Sequence, residues 1–154
     1  MQGTFTINGE EKLLDFHSGE TLLAVLRRHG YTEVKEGCGE GQCGACLVLL
    51  EKRLVNSCQV FAAAAMGQEV TTVEGIGHIH HPHPIQSAFA ETGAVQCGFC
   101  TPGMIMAAYA LLKVNPDPDE TQIMKALDGN LCRCTGYVKI IEAVRRASRV
   151  LNHE

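Results

Sequence analysis

The stretch that decides the fold is residues 37–46, which read GCGEGQCGAC. Three cysteines are spaced here as C-x4-C-x2-C, and a fourth follows twelve residues after the third. This opening spacing is typical of a plant-type [2Fe–2S] cluster, whereas zinc sites usually combine two C-x2-C knuckles. The interleaved glycines allow positive φ and let backbone N–H groups approach a negatively charged cluster. The pattern predicts a first iron–sulfur site with four ligands, namely Cys38, Cys43, Cys46 and Cys58.

A second group of four cysteines lies in the second half of the chain. Cys97 and Cys100 form a C-x2-C pair, and Cys132 and Cys134 form a C-x-C pair 32 residues later. Each pair stands just before a predicted helix, where unpaired N–H groups and the helix dipole favour an anionic ligand. A thioredoxin-like redox pair would need a βαβ surround, which the helical pattern here does not offer. We therefore expect a second metal site on these four cysteines.

Composition narrows the class of protein. The chain has 154 residues, of which eight are cysteines and 45% are hydrophobic, and its formal net charge is −4. This acidic balance argues against nucleic acid or an anionic membrane surface as a partner. No segment approaches the ~20 apolar residues of a membrane span, and the first residues lack a secretory pattern. We expect a cytoplasmic location, where thiols stay reduced and eight cysteines indicate metal ligation or redox chemistry rather than disulfides.

The hydrophobic pattern predicts an α+β fold with two domains. Residues 1–75 indicate short strands around one helix, which the apolar spacing places over residues 21–29. The pair Asn8-Gly9 predicts a tight hairpin turn. A second hairpin turn is predicted at Glu51-Lys52-Arg53, and residues 69–73 form a further strand candidate.

Residues 76–84 have no regular period and are predicted to be a linker. Residues 85–154 then follow a helical pattern, in which Thr101 is a candidate cap before Pro102, and Asp119 with Gln122 resembles a capping box. Four helices are predicted, approximately over residues 85–93, 101–114, 119–129 and 137–151. Helices of this number and length favour a small bundle.

Three segments together resemble a known family, the small iron–sulfur subunit of the molybdenum hydroxylases (xanthine dehydrogenase and aldehyde oxidoreductase). They are residues 37–46, residues 93–104 (GAVQCGFCTPGM) and residues 129–137 (GNLCRCTGY). The resemblance covers nearly the whole chain. It implies a plant-ferredoxin-like β-grasp domain over residues 1–75 and a four-helix bundle over residues 85–154, each with one [2Fe–2S] cluster.

The same resemblance implies partners. A large subunit would carry molybdopterin, in a dinucleotide form, and a medium subunit would carry FAD, in a dimer of heterotrimers. Gln96 would hydrogen-bond the pterin, and Cys134 would be the cluster ligand nearest to it. Electrons would pass from molybdenum through both clusters to FAD and an acceptor such as NAD. The substrate, a purine, another N-heterocycle, an aldehyde or a related compound, would bind elsewhere, so no catalytic residue is expected on this chain.

Two other classes of protein remain open on the residues alone. One is a free-standing two-cluster ferredoxin-like carrier, against which Gln96 argues because such a carrier has no pterin to contact. The other is a zinc-stabilised binding module, which the cysteine spacings disfavour. The sequence also shows no serine–histidine, paired-carboxylate or phosphate-loop pattern, which indicates an electron relay rather than an enzyme with its own substrate site.

Three further groups of side chains have a plain and a functional interpretation. The linker histidines His78, His80, His81 and His83 could chelate a transition metal, although a solvated loop is the favoured interpretation. Arg145, Arg146 and Arg149 could dock an acidic partner, but a solvated helix face is favoured. Met104, Met106 and Met124 are predicted to pack in the core.

Overall fold

A mixed β-sheet occupies the first half of the chain in the computed structural model, which describes residues 1–153. Within that range the sheet has five strands in the order β2-β1-β5-β3-β4. The first and last strands in sequence, β1 and β5, pair in parallel, and the other neighbours are antiparallel. The strands are β1 (Gln2–Ile7), β2 (Glu10–Asp15), β3 (Leu47–Leu50), β4 (Arg53–Asn56) and β5 (Glu69–Thr71).

Helix α1 (Leu22–Arg28) covers one face of this sheet. The hydroxyl of Thr21 caps it by accepting the amide of Ala24 at 3.2 Å. Alternating residues of β1 point into the core, where Phe5 and Ile7 are buried beside Leu22 and Leu26. Strands around a single helix confirm the predicted α+β class.

Both hairpin turns of the sheet have two residues with positive φ. Asn8 and Gly9 have φ of 53° and 81°, as the Asn-Gly pair predicted. In the second hairpin, Glu51 and Lys52 have φ of 48° and 65°. The prediction that Arg53 belongs to this turn is wrong, because Arg53 is already paired with Leu50 in the ladder. A two-residue turn of this kind matches the right-handed twist of the strands, even without glycine.

The second half of the described chain contains four helices. Helix α2 begins one residue before the predicted start, with Pro84 in its first turn and His83 as its cap. Thr101 does not act as a cap, because it is already the first residue of the next helix, and Cys100 precedes it. The helices are α2 (Pro84–Glu91), α3 (Thr101–Val114), α4 (Glu120–Leu127) and α5 (Val138–Asn152).

The helical half has its own core, and that core extends to the sheet. Met104 and Met106 are fully buried in α3, as predicted. The prediction is wrong for Met124, which lies 48% exposed on the outer side of α4. Leu47 and Leu54 of the sheet pack against the helical core, so the two halves share an apolar boundary. None of the helices in residues 1–153 has the length and apolar character needed to cross a membrane.

The connecting segment is partly packed rather than wholly solvated. Ile76 packs against the helical core. The side-chain amide of Gln86 donates to the carbonyl oxygens of Val73 and Gly77, both at 2.9 Å. The segment therefore has a fixed path between the two halves. Its histidines His78, His80 and His81 remain exposed.

The capping box at the start of α4 provides a test of local stability. Asp119 accepts the amide of Gln122 at 2.8 Å, and the Gln122 side chain accepts the amide of Asp119 at 2.9 Å. Asp119→Ala should destabilise α4 by about 1 kcal/mol and speed hydrogen exchange of its amides by about fivefold. Asp117→Ala is the matched control, because Asp117 is exposed and lies outside the box. Equal acceleration in both variants would contradict the capping role.

Candidate metal centres

Backbone amides surround the sulfur of Cys38. The amides of Glu40, Gln42 and Cys43 lie 3.3–3.4 Å from its Sγ. The loop reaches this geometry because Gly39 and Gly41 have φ of 71° and 77°. Hydrogen bonds from the amides of Glu40, Cys43 and Gln42 lower the pKa of the Cys38 thiol to about 6. The loop is thus built to stabilise a thiolate, which is the form that binds metal.

The other two cysteines of the sheet half lie deeper. Cys46 and Cys58 are 2% and 6% exposed. Burial is the main reason that the pKa of the Cys46 thiol is raised to about 11; the backbone amide of Cys58 opposes this rise, while the Cys58 thiol adds to it. A bound cation reverses such a preference, because it deprotonates a coordinating thiol outright. These two thiols are therefore better suited to bind a metal than to react as nucleophiles.

Two amide side chains that the sequence did not single out tie the Cys58 segment to the cysteine loop. The Asn56 side chain donates to the carbonyl oxygen of Gly41 at 3.1 Å. The Gln59 side chain donates to the carbonyl oxygen of Gly39 at 3.2 Å and to Cys58 Sγ at 3.5 Å. The only hint in the sequence is that both residues flank Cys58. Together, the two side chains hydrogen-bond carbonyl oxygens of the loop, while the loop amides point toward the cysteine sulfur.

The cysteines of the helical half form a more open site. Cys97 and Cys134 are exposed, with their sulfur atoms 3.6 Å apart, while Cys100 and Cys132 are half-buried. Burial raises the pKa of the Cys100 thiol to about 12. Burial acts to raise the pKa of the Cys132 thiol. Hydrogen bonds from the hydroxyl and amide of Thr135, at 3.1 and 3.5 Å from its sulfur, together with the amide of Cys134 and the Cys100 thiol, outweigh burial and lower this pKa to about 7.

The eight thiols are grouped as four pairs. Contacts between sulfur atoms join the two members of each pair, which are Cys38 with Cys43, Cys46 with Cys58, Cys97 with Cys134, and Cys100 with Cys132. In residues 1–153, no three His, Cys, Asp or Glu side chains converge on one point that a single ion could occupy. A [2Fe–2S] core with four cysteines needs only two thiolates at each iron. The donor set and its amide surroundings therefore fit two such clusters, one in each half.

Two of the three candidate arginines and one linker histidine have structural partners. Arg145 donates to Glu120 at 3.0 Å, and Arg146 forms an ion pair with Glu91. In the linker, His83 accepts the amide of Ile85 at 3.3 Å and its ring contacts Tyr109. These contacts support the interpretation of a solvated arginine face and of a histidine that caps α2.

Comparison with protein families agrees with this division. Residues 5–71 match the family model described as "2Fe-2S iron-sulfur cluster binding domain", and residues 72–145 match the one described as "[2Fe-2S] binding domain". The chain is therefore a protein with two [2Fe–2S] domains, a ferredoxin-type sheet domain followed by a helical one.

Known proteins narrow the class further. The chain is 49% identical to the nicotinate dehydrogenase small FeS subunit of Eubacterium barkeri, over 92% of this chain and 90% of that subunit. It superposes on quinoline 2-oxidoreductase from Pseudomonas putida 86 with a TM-score of 0.94, at 35% identity, over 99% of this chain and 96% of that one. It also superposes on aldehyde oxidoreductase from Desulfovibrio gigas with a TM-score of 0.93 and 41% identity, but spans only 17% of that chain.

The chain belongs to the family of small iron–sulfur subunits of the molybdenum hydroxylases. It is an electron-transfer subunit of an oxidoreductase, as predicted, and the relatives favour this over a free-standing carrier.

The close approach at Gly37 generates a test of the first site. A Cβ atom at this position would lie 2.7 Å from Cys43 Sγ, which is too close for the thiolate to keep its place. Gly37→Ala should weaken or abolish the electron paramagnetic resonance (EPR) signal of the sheet-half cluster and leave the helical-half signal intact. Gly19→Ala is the matched control, because a Cβ there meets nothing within 4 Å. Wild-type spectra for Gly37→Ala would show that Cys43 does not bind metal in this position.

Proposed function

We propose that this chain carries electrons between a large molybdopterin subunit and a medium FAD subunit, in a dimer of heterotrimers in the cytoplasm. Each cluster, when bound, accepts and releases one electron at a time. The large subunit would oxidise a purine, another N-heterocycle, an aldehyde or a related substrate. The proposal draws on the relatives, which include a small subunit of a nicotinate dehydrogenase, and on the surface of this chain.

The observation that carries the proposal is the difference in exposure between the two metal sites. In the helical half, Cys97 and Cys134 are exposed, whereas in the sheet half Cys46 and Cys58 are buried. Electron transfer needs a short separation between donor and acceptor, so a partner's cofactor can approach most closely where ligands reach the surface. The helical half is therefore the side we assign to the molybdopterin subunit.

Exposed apolar residues close in sequence to the helical-half cysteines support this assignment. Val95, Phe99 and Leu131 are 40%, 47% and 62% exposed, although all three lie within a few residues of a cysteine. Clustered apolar residues on a surface mark sites of protein contact. Gln96 is exposed in the same segment, next to Cys97, where its amide can meet a polar cofactor edge. We assign it to the pterin, with Cys134 as the neighbouring ligand.

We assign ligands according to the thiol pairs. One iron of the sheet-half cluster would be bound by Cys38 and Cys43, and the other by Cys46 and Cys58. In the helical half, Cys97 with Cys134 and Cys100 with Cys132 would each bind one iron. The contacts between sulfur atoms support this two-plus-two arrangement. The sheet-half cluster as a whole would lie toward the FAD subunit.

Purification from the native source tests the proposal as a whole. The chain should co-purify with molybdenum and flavin, and it should contain about four iron and four acid-labile sulfide atoms. Adding purines, nicotinate or aldehydes to the oxidised complex should bleach the iron–sulfur absorbance for the true substrate. A monomer without flavin or molybdenum that exchanges electrons with unrelated enzymes would support the free carrier instead. Stoichiometric zinc without sulfide would contradict both.

Single cysteine replacements test the division of ligands. Cys58→Ser should remove or perturb only one of two EPR signals in the reduced protein, because Cys58 is assigned to the sheet-half cluster alone. Cys132→Ser is the matched variant and should affect only the other signal. Loss of both signals in either variant, with the chain still folded by circular dichroism, would contradict the assignment of the cysteines to separate clusters.

A further inference from the structure

The two candidate cluster sites are joined by direct contacts between their ligand segments. The amide of Leu131, the residue before Cys132, donates to the carbonyl oxygen of Cys43 at 2.9 Å. The side-chain amide of Asn130 donates to the carbonyl oxygen of Gly44 at 3.2 Å, in a buried position. Two hydrogen bonds thus connect the Cys43 loop of one site to the segment before Cys132 of the other site.

Two glycines let the backbones approach closely at this contact. Gly44 has φ of 67°, and a Cβ there would lie 2.6 Å from Asn130 Nδ2 and 2.7 Å from the carbonyl oxygen of Gly129. A Cβ at Gly103, in the first turn of α3, would overlap the carbonyl oxygen of Gly44. We call Gly44, Gly103 and Asn130 the Gly44 junction. Three segments meet there: the Cys43 loop, the start of α3 after Cys100, and the segment before Cys132.

Asn130 is fixed from both sides of the junction. It is only 4% exposed. Within its own half, the Tyr137 hydroxyl donates to the Asn130 carbonyl oxygen at 3.0 Å and accepts the amide of Cys132 at 2.8 Å. Its side chain reaches the other half and makes the bond to Gly44. A buried amide held in this way transmits the position of one segment to the next, because without it the Gly44 carbonyl oxygen would keep only the longer 3.4 Å hydrogen bond from the amide of Leu47.

We propose that Asn130 is a positioning residue that sets the separation and relative orientation of the two cluster sites. Its backbone is held with the Cys132 segment, and its side chain is held by the Cys43 loop, so a change in the side chain alters the distance between sites without removing a ligand. The proposal deepens the proposed function, on which it rests, because a relay between two partners requires a fixed gap between its centres.

EPR spectroscopy of the full chain with both clusters reduced tests the proposal. Two paramagnetic centres broaden or split each other's signals, and the dipolar part falls with the cube of their separation. Asn130→Ala should change this mutual splitting, while the two individual signals, recorded at temperatures where the interaction is averaged, keep their wild-type positions. Asn115→Ala is the matched control, because it removes a side-chain amide that donates to Gln122 at 3.0 Å rather than to a cysteine segment. It should leave the splitting unchanged.

A second variant keeps the test decisive if alanine disturbs the fold. Asn130→Asp keeps the shape of the side chain but places an acceptor against the Gly44 carbonyl oxygen, so the splitting should again change. Wild-type splitting in either iron-loaded variant would overturn the proposal. So would selective loss of one cluster in both variants, which would make Asn130 a support of that site alone. A wild-type chain that binds no iron would instead contradict the proposed function itself.

Discussion

Negative charge on sulfur is the constraint on which the sheet half depends. Four thiolates around a ferric sulfide core carry net negative charge, and its burial is tolerable only with N–H donors close by. Three backbone amides donate to Cys38 Sγ, and Gly39 and Gly41 take the positive φ that this requires. A segment folded around sulfur cannot also join a strand ladder. The chain between α1 and β3 is therefore irregular, and Asn56 and Gln59 satisfy the carbonyl groups it leaves unpaired.

The helical half meets the same constraint with a different structure. Cys100 immediately precedes α3, so the free amides of the first turn lie next to its ligand segment. Thr135 supplies a hydroxyl and an amide to Cys132 Sγ. Tyr137 takes φ of 69° just before α5, and its hydroxyl bonds both sides of Leu131. A left-handed conformation at a bulky residue is uncommon and persists because these hydrogen bonds hold it.

Local patterns predicted much of this organisation, and contacts between distant segments were not predictable. The Asn8-Gly9 turn, the α+β class and the α4 capping box follow from residues within a few positions of each other. The bond from Asn130 to Gly44 joins residues 86 positions apart, and the sequence shows only an asparagine beside a cysteine motif. Met124 failed as a core residue because its helix presents that side to solvent. Thr101 and Arg53 were misplaced by single residues, where hydrogen bonding decides a boundary.

The two sites differ in the environment that tunes the reduction potential of a cluster. Reduction potential depends on hydrogen bonds to sulfur and on solvent exposure. The sheet-half site has three amides on one sulfur and two thiols sealed in the core, whereas the helical-half site has two sulfur atoms at the surface. A symmetric pair of sites would hold an electron equally well at either end. Two unlike sites can hold two different reduction potentials, and a relay between two different partners can use such a difference.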